Sequence, residues 1–156
     1  MAVILAPENL RVFAEDIYRK KVRLVLTNGC FDLLHLGHVR CLKYARSLGD
    51  FLFVAVNSDT SATTLKGIER PINSQEDRVE VLAALRCVDY ISIFDSLRVT
   101  QVIRKIRPVI YVKGGDYTLE TLDPEESAAL TEVGAEIRFL PQVVGYSTTA
   151  LISRLQ

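Results

Sequence analysis

The sequence predicts an α/β domain built on one doubly wound parallel sheet of about five strands. Three observations carry that reading. Five short apolar runs, most of them rich in Val, Ile or aromatic residues, recur along the chain. The intervals between them carry apolar residues at helical spacing, and the unusual polar residues follow the carboxyl ends of the runs. At 156 residues the chain has the size of one ordinary domain around one core. A 49% hydrophobic composition and a mean hydropathy of +0.18 supply that core.

A helix over roughly 8–20 opens the chain, and residues 1–21 are read as an N-terminal helical extension ahead of a main domain at 22–156. The first strand is 22–27. Residues 36–48 place Val39, Leu42, Ala45 and Leu48 on one stripe, with Gly49 as the stop. The second strand is 51–57. The stretch 58–73 reads as irregular, and a loop of that length in a small domain is more often a functional lid than an idle connection. Asn73 is the expected cap of the next helix, with Glu76 three residues on and Val79, Leu82 and Leu85 facing the core. A strand at 90–94 follows, then a helix at 97–107 that Pro108 ends. After the fourth strand, 109–113, Asp123-Pro124-Glu125-Glu126 combines a cap, a proline in the first turn and acids at the positive helix end. The fifth strand, 136–140, and a helix at 147–155 close the chain. Crossovers between parallel strands are right-handed, which makes the sheet doubly wound.

Nineteen Lys plus Arg against nineteen Asp plus Glu remove the basic footprint of a general nucleic-acid or anionic-membrane binder, so any anion site is local. The apolar stretch 51–56 is far too short to span a bilayer. Met1 to Ala6 is apolar but has no positive leader, so no signal peptide is read there. Three cysteines, an odd number without C-x-x-C spacing, fit reduced thiols and a cytoplasmic location.

The polar residues gather on one rim. Thr27-Asn28-Gly29-Cys30-Phe31-Asp32 and then His35-Leu36-Gly37-His38 follow the first strand. Asn57-Ser58-Asp59 and Lys66-Gly67 follow the second, Asp95 the third, Lys113-Gly114-Gly115-Asp116-Tyr117 the fourth, and Gly145-Tyr146-Ser147-Thr148-Thr149 the fifth. The two histidines are the only ones in the chain. Three-residue spacing puts both on one side of a helix's first turn, and Gly37 between them admits a ligand close to the backbone. Two imidazoles and exposed helix N–H groups then suit one phosphate chain. Other readings stand beside this one: a structural histidine pair, a metal site using His35, His38 and Cys30 or Asp32, or Cys30 as a nucleophile paired with His35. Neither G-x-x-x-x-G-K-[ST] nor G-x-G-x-x-G is present, so a different phosphate-binding scheme is needed. Lys113-Gly114-Gly115-Asp116 offers a cation, two flexible backbone donors and an acceptor, and Ser147 also reads as a simple helix cap.

Thr27 to Asp32 followed by His35-x-Gly37-His38 resembles the first motif of the cytidylyltransferase-like nucleotidyltransferases. Ala55 to Asp59, Leu65-Lys66-Gly67, Arg70 to Asn73, Val112 to Tyr117 and Ser147 to Thr149 narrow the likeness to the adenylyltransferase domain of bifunctional ADP-heptose synthases, over nearly the whole chain after Arg23. The resemblance implies a Rossmann-like HxGH-type fold and transfer of AMP from ATP, with Mg²⁺, to a heptose 1-phosphate for the lipopolysaccharide core. It assigns His35 and His38 to the triphosphate and makes Lys66 the cation that closes over it. Thr27, Asn28, Gly29, Cys30, Phe31, Asp32 and Gly37 form the nucleotide turn. Asn57, Asp59, Arg78, Lys113, Gly114, Gly115, Asp116, Ser147, Thr148 and Thr149 complete the nucleotide site, Asp32 is also available to the sugar or metal, and Arg78 alternatively reads as a solvated surface charge. The sugar-kinase segment that often precedes such a domain is not seen, so a separate kinase is expected to supply the sugar phosphate, and self-association is expected from similar enzymes. A CTP-dependent glycerol-3-phosphate enzyme, a flavin-nucleotide adenylyltransferase and a non-catalytic partner of a sugar kinase are the alternatives.

Overall fold

A parallel sheet covered on both faces requires apolar side chains on both sides of every central strand, and the apolar runs provide them. The structure is a computed structural model describing residues 1–141 and 143–154. Its strands are β1 (Val3–Ile4), β2 (Leu24–Gly29), β3 (Phe51–Asn57), β4 (Tyr90–Phe94), β5 (Ile110–Gly114) and β6 (Glu136–Leu140). They lie in the order β1-β4-β3-β2-β5-β6, and every pair is parallel. The helices are α1 (Leu10–Arg19), α2 (Leu36–Ser47), α3 (Asp59–Lys66), α4 (Gln75–Ala83), α5 (Thr100–Ile106), α6 (Pro124–Val133) and α7 (Thr148–Ser153).

Alternate residues of the strands feed two separate cores. On one face Leu24, Leu26, Phe53, Ala55 and Tyr111 pack with Leu10 and Ile17 of α1, Ile103 and Ile106 of α5, and Ala129 and Leu130 of α6. On the other face Val25, Leu52, Val54, Val56, Ile110 and Val112 pack with Leu42 and Ala45 of α2 and Val79 and Leu82 of α4. The doubly wound expectation therefore holds.

The structure departs from the sequence reading in particular places. The sheet has six strands, because Val3 and Ile4 pair with Tyr90 and Ile91 at its edge. The first 21 residues supply that edge strand, the helix α1 read from the sequence and, through Leu10 and Ile17, part of the shared core. The stretch 58–73 is not irregular throughout, since Ser58 caps α3 by accepting from the Ser61 N–H. The cap of α4 is Ser74, which accepts from the Asp77 N–H, because Asn73 is engaged elsewhere. The last helix ends at Ser153, and Leu155 of the expected span lies outside the described residues.

The turn from α2 into β3 is stitched to the start of β2. The Asp50 N–H donates to the Arg23 carbonyl at 2.9 Å, and the Arg23 N–H donates to the Asp50 carboxylate at 2.8 Å. This closeness explains Gly49, where a Cβ would stand 2.5 Å from the Arg23 oxygen and 2.7 Å from Val25 Cγ2. Gly49→Ala is expected to destabilise the fold by about 1–3 kcal/mol, the usual cost of forcing atoms into a packed contact. A urea denaturation midpoint equal to that of the parent chain would contradict this packing.

Candidate active site at the strand-order reversal

From β2 the chain fills β3 and β4 on one side, then returns to place β5 and β6 on the other. The carboxyl ends of β2 and β5 thus lie side by side at the point of reversal, with Thr27 in register with Val112. Loops leaving neighbouring strands in opposite directions open a crevice there, the usual ligand position of such sheets. Thr27 closes the floor by donating its hydroxyl to the Val112 carbonyl at 2.8 Å.

The histidine motif stands on one wall. His35 is the N-cap of α2 with an extended backbone, and Gly37 and His38 begin the helix. The two imidazoles stack with centroids 3.8 Å apart and planes 24° from parallel, and the Phe31 ring tilts against His38 at 5.2 Å. Gly37 permits the stack, because a Cβ there would lie 2.9 Å from His35 Cε1 and 3.0 Å from its Nδ1. Both Nδ1 atoms are buried and have no hydrogen-bond partner among the described residues. Burial pushes both imidazoles below their ordinary value, His38 to about 4 because burial and the adjacent His35 together outweigh the Leu33 backbone. Buried polar atoms without partners are rare, and two of them at a strand-order reversal make this the candidate ligand position.

The loop that carries the motif is held from below. Phe31 has φ 49, in the left-handed region that a bulky residue rarely enters, and its ring sits 3.2 Å from where a Gly29 Cβ would be. Asp32 accepts from the Arg70 guanidinium at 3.0 Å and from the Ile72 and Asn73 N–H groups at 2.9 and 3.0 Å, while Asn73 Nδ2 donates to the Asp32 carbonyl. Burial works against the Asp32 carboxylate, but those N–H groups and Arg70 prevail and hold it below the usual carboxylate range. Its oxygens are therefore occupied, and Asp32 ties the loop down instead of presenting a free acid to a sugar or metal. Arg78 is not a solvated surface charge: it is buried, donating to the Cys30 carbonyl, to the Asn73 carbonyl at 3.2 Å and to Asp59 at 2.8 Å. Arg70 and Asn73, which complete this clamp, were not singled out by their chemistry in the sequence.

The remaining candidates divide between rim and support. Lys66 ends α3 exposed, close enough to Cys30 to be the largest cationic influence on its thiol. Burial nevertheless pushes that thiol up, the opposite of what an activated nucleophile requires. Asn57 is buried and donates to Ser61 Oγ at 2.8 Å, and Asp59 is paired with Arg78, so both support α3. Lys113, next to last in β5, holds its ammonium 4.9 Å from the Tyr117 ring centroid, Gly114 backs onto Cys41 of α2, Gly115 has φ +112, and Asp116 is exposed. Ser147 is a cap, accepting from the Ala150 N–H at 3.0 Å, with Thr148 and Thr149 in the first turn. The Tyr146 carbonyl lies 3.7 Å from the Gly37 Cβ position, which brings the start of α7 beside the histidine motif. Among the described residues no three His, Cys, Asp or Glu side chains gather as a metal-holding group. No helix among them is long and apolar enough to cross a membrane.

This strand order, with an HxGH turn at its reversal, defines a nucleotidyltransferase-type domain, and the cytidylyltransferase-like family matches residues 26–154. The chain belongs to that family. Bifunctional protein HldE of Nitratiruptor sp. is 43% identical over 149 residues, covering 96% of this chain and 31% of that protein. Bifunctional protein HldE of Syntrophotalea carbinolica is 45% identical over 148 residues, 95% of this chain and 30% of that one. The chain therefore spans about a third of the length of the curated relatives it matches. Among solved structures, the lipopolysaccharide core biosynthesis protein from Thermoplasma volcanium superposes with TM-score 0.64 at 27% identity, covering 78% of this chain and 97% of that one. Pantoate-beta-alanine ligase from Francisella tularensis shares the fold, with TM-score 0.63 at 14% identity over 100% of this chain and 74% of that one.

The half-buried imidazoles give the fold an acid weakness whose sign follows from linkage. His38 takes up its proton at about 4 when folded but near 6.5 when unfolded. Between those values the unfolded chain binds more protons, so stability falls as pH drops through that window and is fully retained above it. The loss from His38 amounts to roughly 3 kcal/mol by pH 4. His38→Gln is expected to flatten the melting temperature between pH 6.5 and 4.5, and an unchanged slope would show that His38 is not the group responsible. Gly37→Ala is expected to drive the two rings apart, read as a changed His35 ring resonance in NMR with the fold retained.

Proposed function

We propose that this chain transfers AMP from ATP to a heptose 1-phosphate, yielding ADP-heptose and pyrophosphate as a precursor for the lipopolysaccharide core. The observation that carries the reading is the stacked His35–His38 pair with two buried, unpartnered ring nitrogens at the strand-order reversal. The HldE relatives and the lipopolysaccharide core protein support the choice of acceptor. The free thiols support a cytoplasmic location.

A sugar phosphate is already an anionic nucleophile, so attack on the α-phosphorus needs no protein base. The work left to the protein is alignment and charge stabilisation. His35 and His38 meet the triphosphate: an anion favours the imidazolium that burial disfavours, so binding raises both groups from their depressed values. The backbone of Gly29, Cys30 and Phe31 lines the turn, Lys66 approaches from the end of α3, and Ser147, Thr148 and Thr149 face the terminal phosphates. Asn28, Lys113 and the 114–116 turn take the rest of the nucleotide. Mg²⁺ arrives as part of the nucleotide substrate, since Asp32 and Asp59 are already engaged by arginines and the ion prefers phosphate and water oxygens. The sugar 1-phosphate is the product of a sugar kinase reaction, which transfers phosphate to the anomeric position before adenylyl transfer.

His38→Ala is expected to lower turnover by about 10² to 10³, the usual loss for one well-placed charge stabiliser, with the fold retained. The measurement is pyrophosphate release with ATP or CTP, each offered heptose 1-phosphate or glycerol 3-phosphate. Preference for CTP with glycerol 3-phosphate would reassign the substrates, and near-normal turnover in folded His38→Ala would remove the histidines from the reaction.

A further inference from the structure

On the other face of the sheet from the histidines, Lys113 and Asn28 belong to a polar cluster whose buried members, Glu126 and Tyr111, the reaction as described does not use. Glu126, in the first turn of α6, is only 4% exposed. Its Oε2 lies 3.3 Å from Lys113 Nζ and 3.4 Å from the Tyr111 hydroxyl. Tyr111 is fully buried in β5, and its hydroxyl stands 3.2 Å from Lys113 Nζ and 2.6 Å from Asn28 Oδ1. A buried carboxylate is costly, and an apolar residue at this place on α6 would pack more cheaply.

The protons in the cluster can be accounted for one by one. The ammonium only donates, so the phenol oxygen accepts from Lys113. The phenol has a single proton, which burial and the Glu126 charge keep in place, and the short contact sends it to Asn28. The atom of Asn28 facing Tyr111 must then be the oxygen, which leaves both N–H groups of Nδ2 as donors. No hydrogen bond engages them among the described residues. Lys113 meanwhile has Glu126 as its counter-ion, so it presents N–H donors with little net charge.

We propose that Glu126 is a positioning residue which, through Lys113 and Tyr111, fixes the Lys113 ammonium and the Asn28 amide nitrogen as donors for the uncharged acceptors of the nucleotide, its base or ribose. This rests on the nucleotidyltransferase reading and divides the crevice: the histidine wall takes phosphate, and this wall takes the nucleoside.

The test compares binding of ATP and of inorganic tripolyphosphate to the full chain by calorimetry, beside steady-state kinetics, for Glu126→Gln and Tyr111→Phe. Each variant is expected to weaken ATP about five- to tenfold, the worth of one or two neutral hydrogen bonds, and to raise KM for the nucleotide by the same factor. Tripolyphosphate affinity stays within twofold of the parent or tightens in Glu126→Gln, and kcat stays within twofold. The double variant loses no more than the worse single one, because both act through the same atoms. Unchanged ATP affinity in a folded variant overturns the proposal, as does an equal loss for ATP and tripolyphosphate or a fall in kcat alone. Should Glu126→Gln not fold, Tyr111→Phe, which removes one oxygen, decides by the same criteria. A parent chain that binds neither ATP nor CTP overturns the nucleotidyltransferase reading itself, a result the variants cannot produce.

Discussion

A guanidinium without water must find its acceptors in the protein, and Arg78 finds them in three segments, two of them remote in sequence. It joins α4 to the Cys30 carbonyl after β2, to the Asn73 carbonyl before its own helix, and to Asp59 at the start of α3. Asp32 answers from the other side by gathering Arg70, Ile72 and Asn73. Breaking one partner of such a buried arrangement is far more costly than its net worth to stability, so these segments move together or not at all. The strained Phe31 backbone is tolerable only inside this frame, and the Phe31 ring in turn backs the His38 imidazole.

The two walls of the crevice come from opposite faces of one sheet. Side chains alternate along a strand, so Asn28, Tyr111 and Lys113 fall on the face covered by α6, while α2 and its histidines belong to the other face. Gly114 lets α2 approach, since a Cβ there would lie 2.8 Å from Cys41 Sγ. On one side burial holds two imidazoles below their ordinary value, and on the other the Lys113 ammonium is paired with the Glu126 carboxylate. The sheet thereby keeps two chemically different groups of side chains on opposite faces.

Most of the scaffold was legible in the sequence because it rests on local rules. The strands at 51–57, 90–94 and 136–140 match to the residue, and Asp123 caps α6 as its sequence requires. The two-residue strand β1 carries too little periodicity to read. The helix α3 was hidden because Thr60, Ser61, Thr63 and Thr64 are weak helix formers, though Ser58 with Asp59 at one end and Lys66 at the other marked both its termini. At the site, the histidine pair was visible because its spacing is local. The roles of Asp32 and Arg78 were not, because whether a charged side chain faces water or three carbonyls is settled by segments some forty residues apart. Tyr111 and Glu126 were passed over for the same reason: each reads as an ordinary strand or helix-start residue until the sheet and α6 come together.

The small edge strand has a practical side. Three strand spacings separate β1 from β2, roughly 14 Å. Because all strands run the same way, Met1 lies toward the end of the sheet away from the crevice mouth. A dye or affinity handle placed ahead of Val3 would hang clear of the histidine motif, which makes that edge of the sheet a natural place to immobilise the domain for surface-based binding measurements.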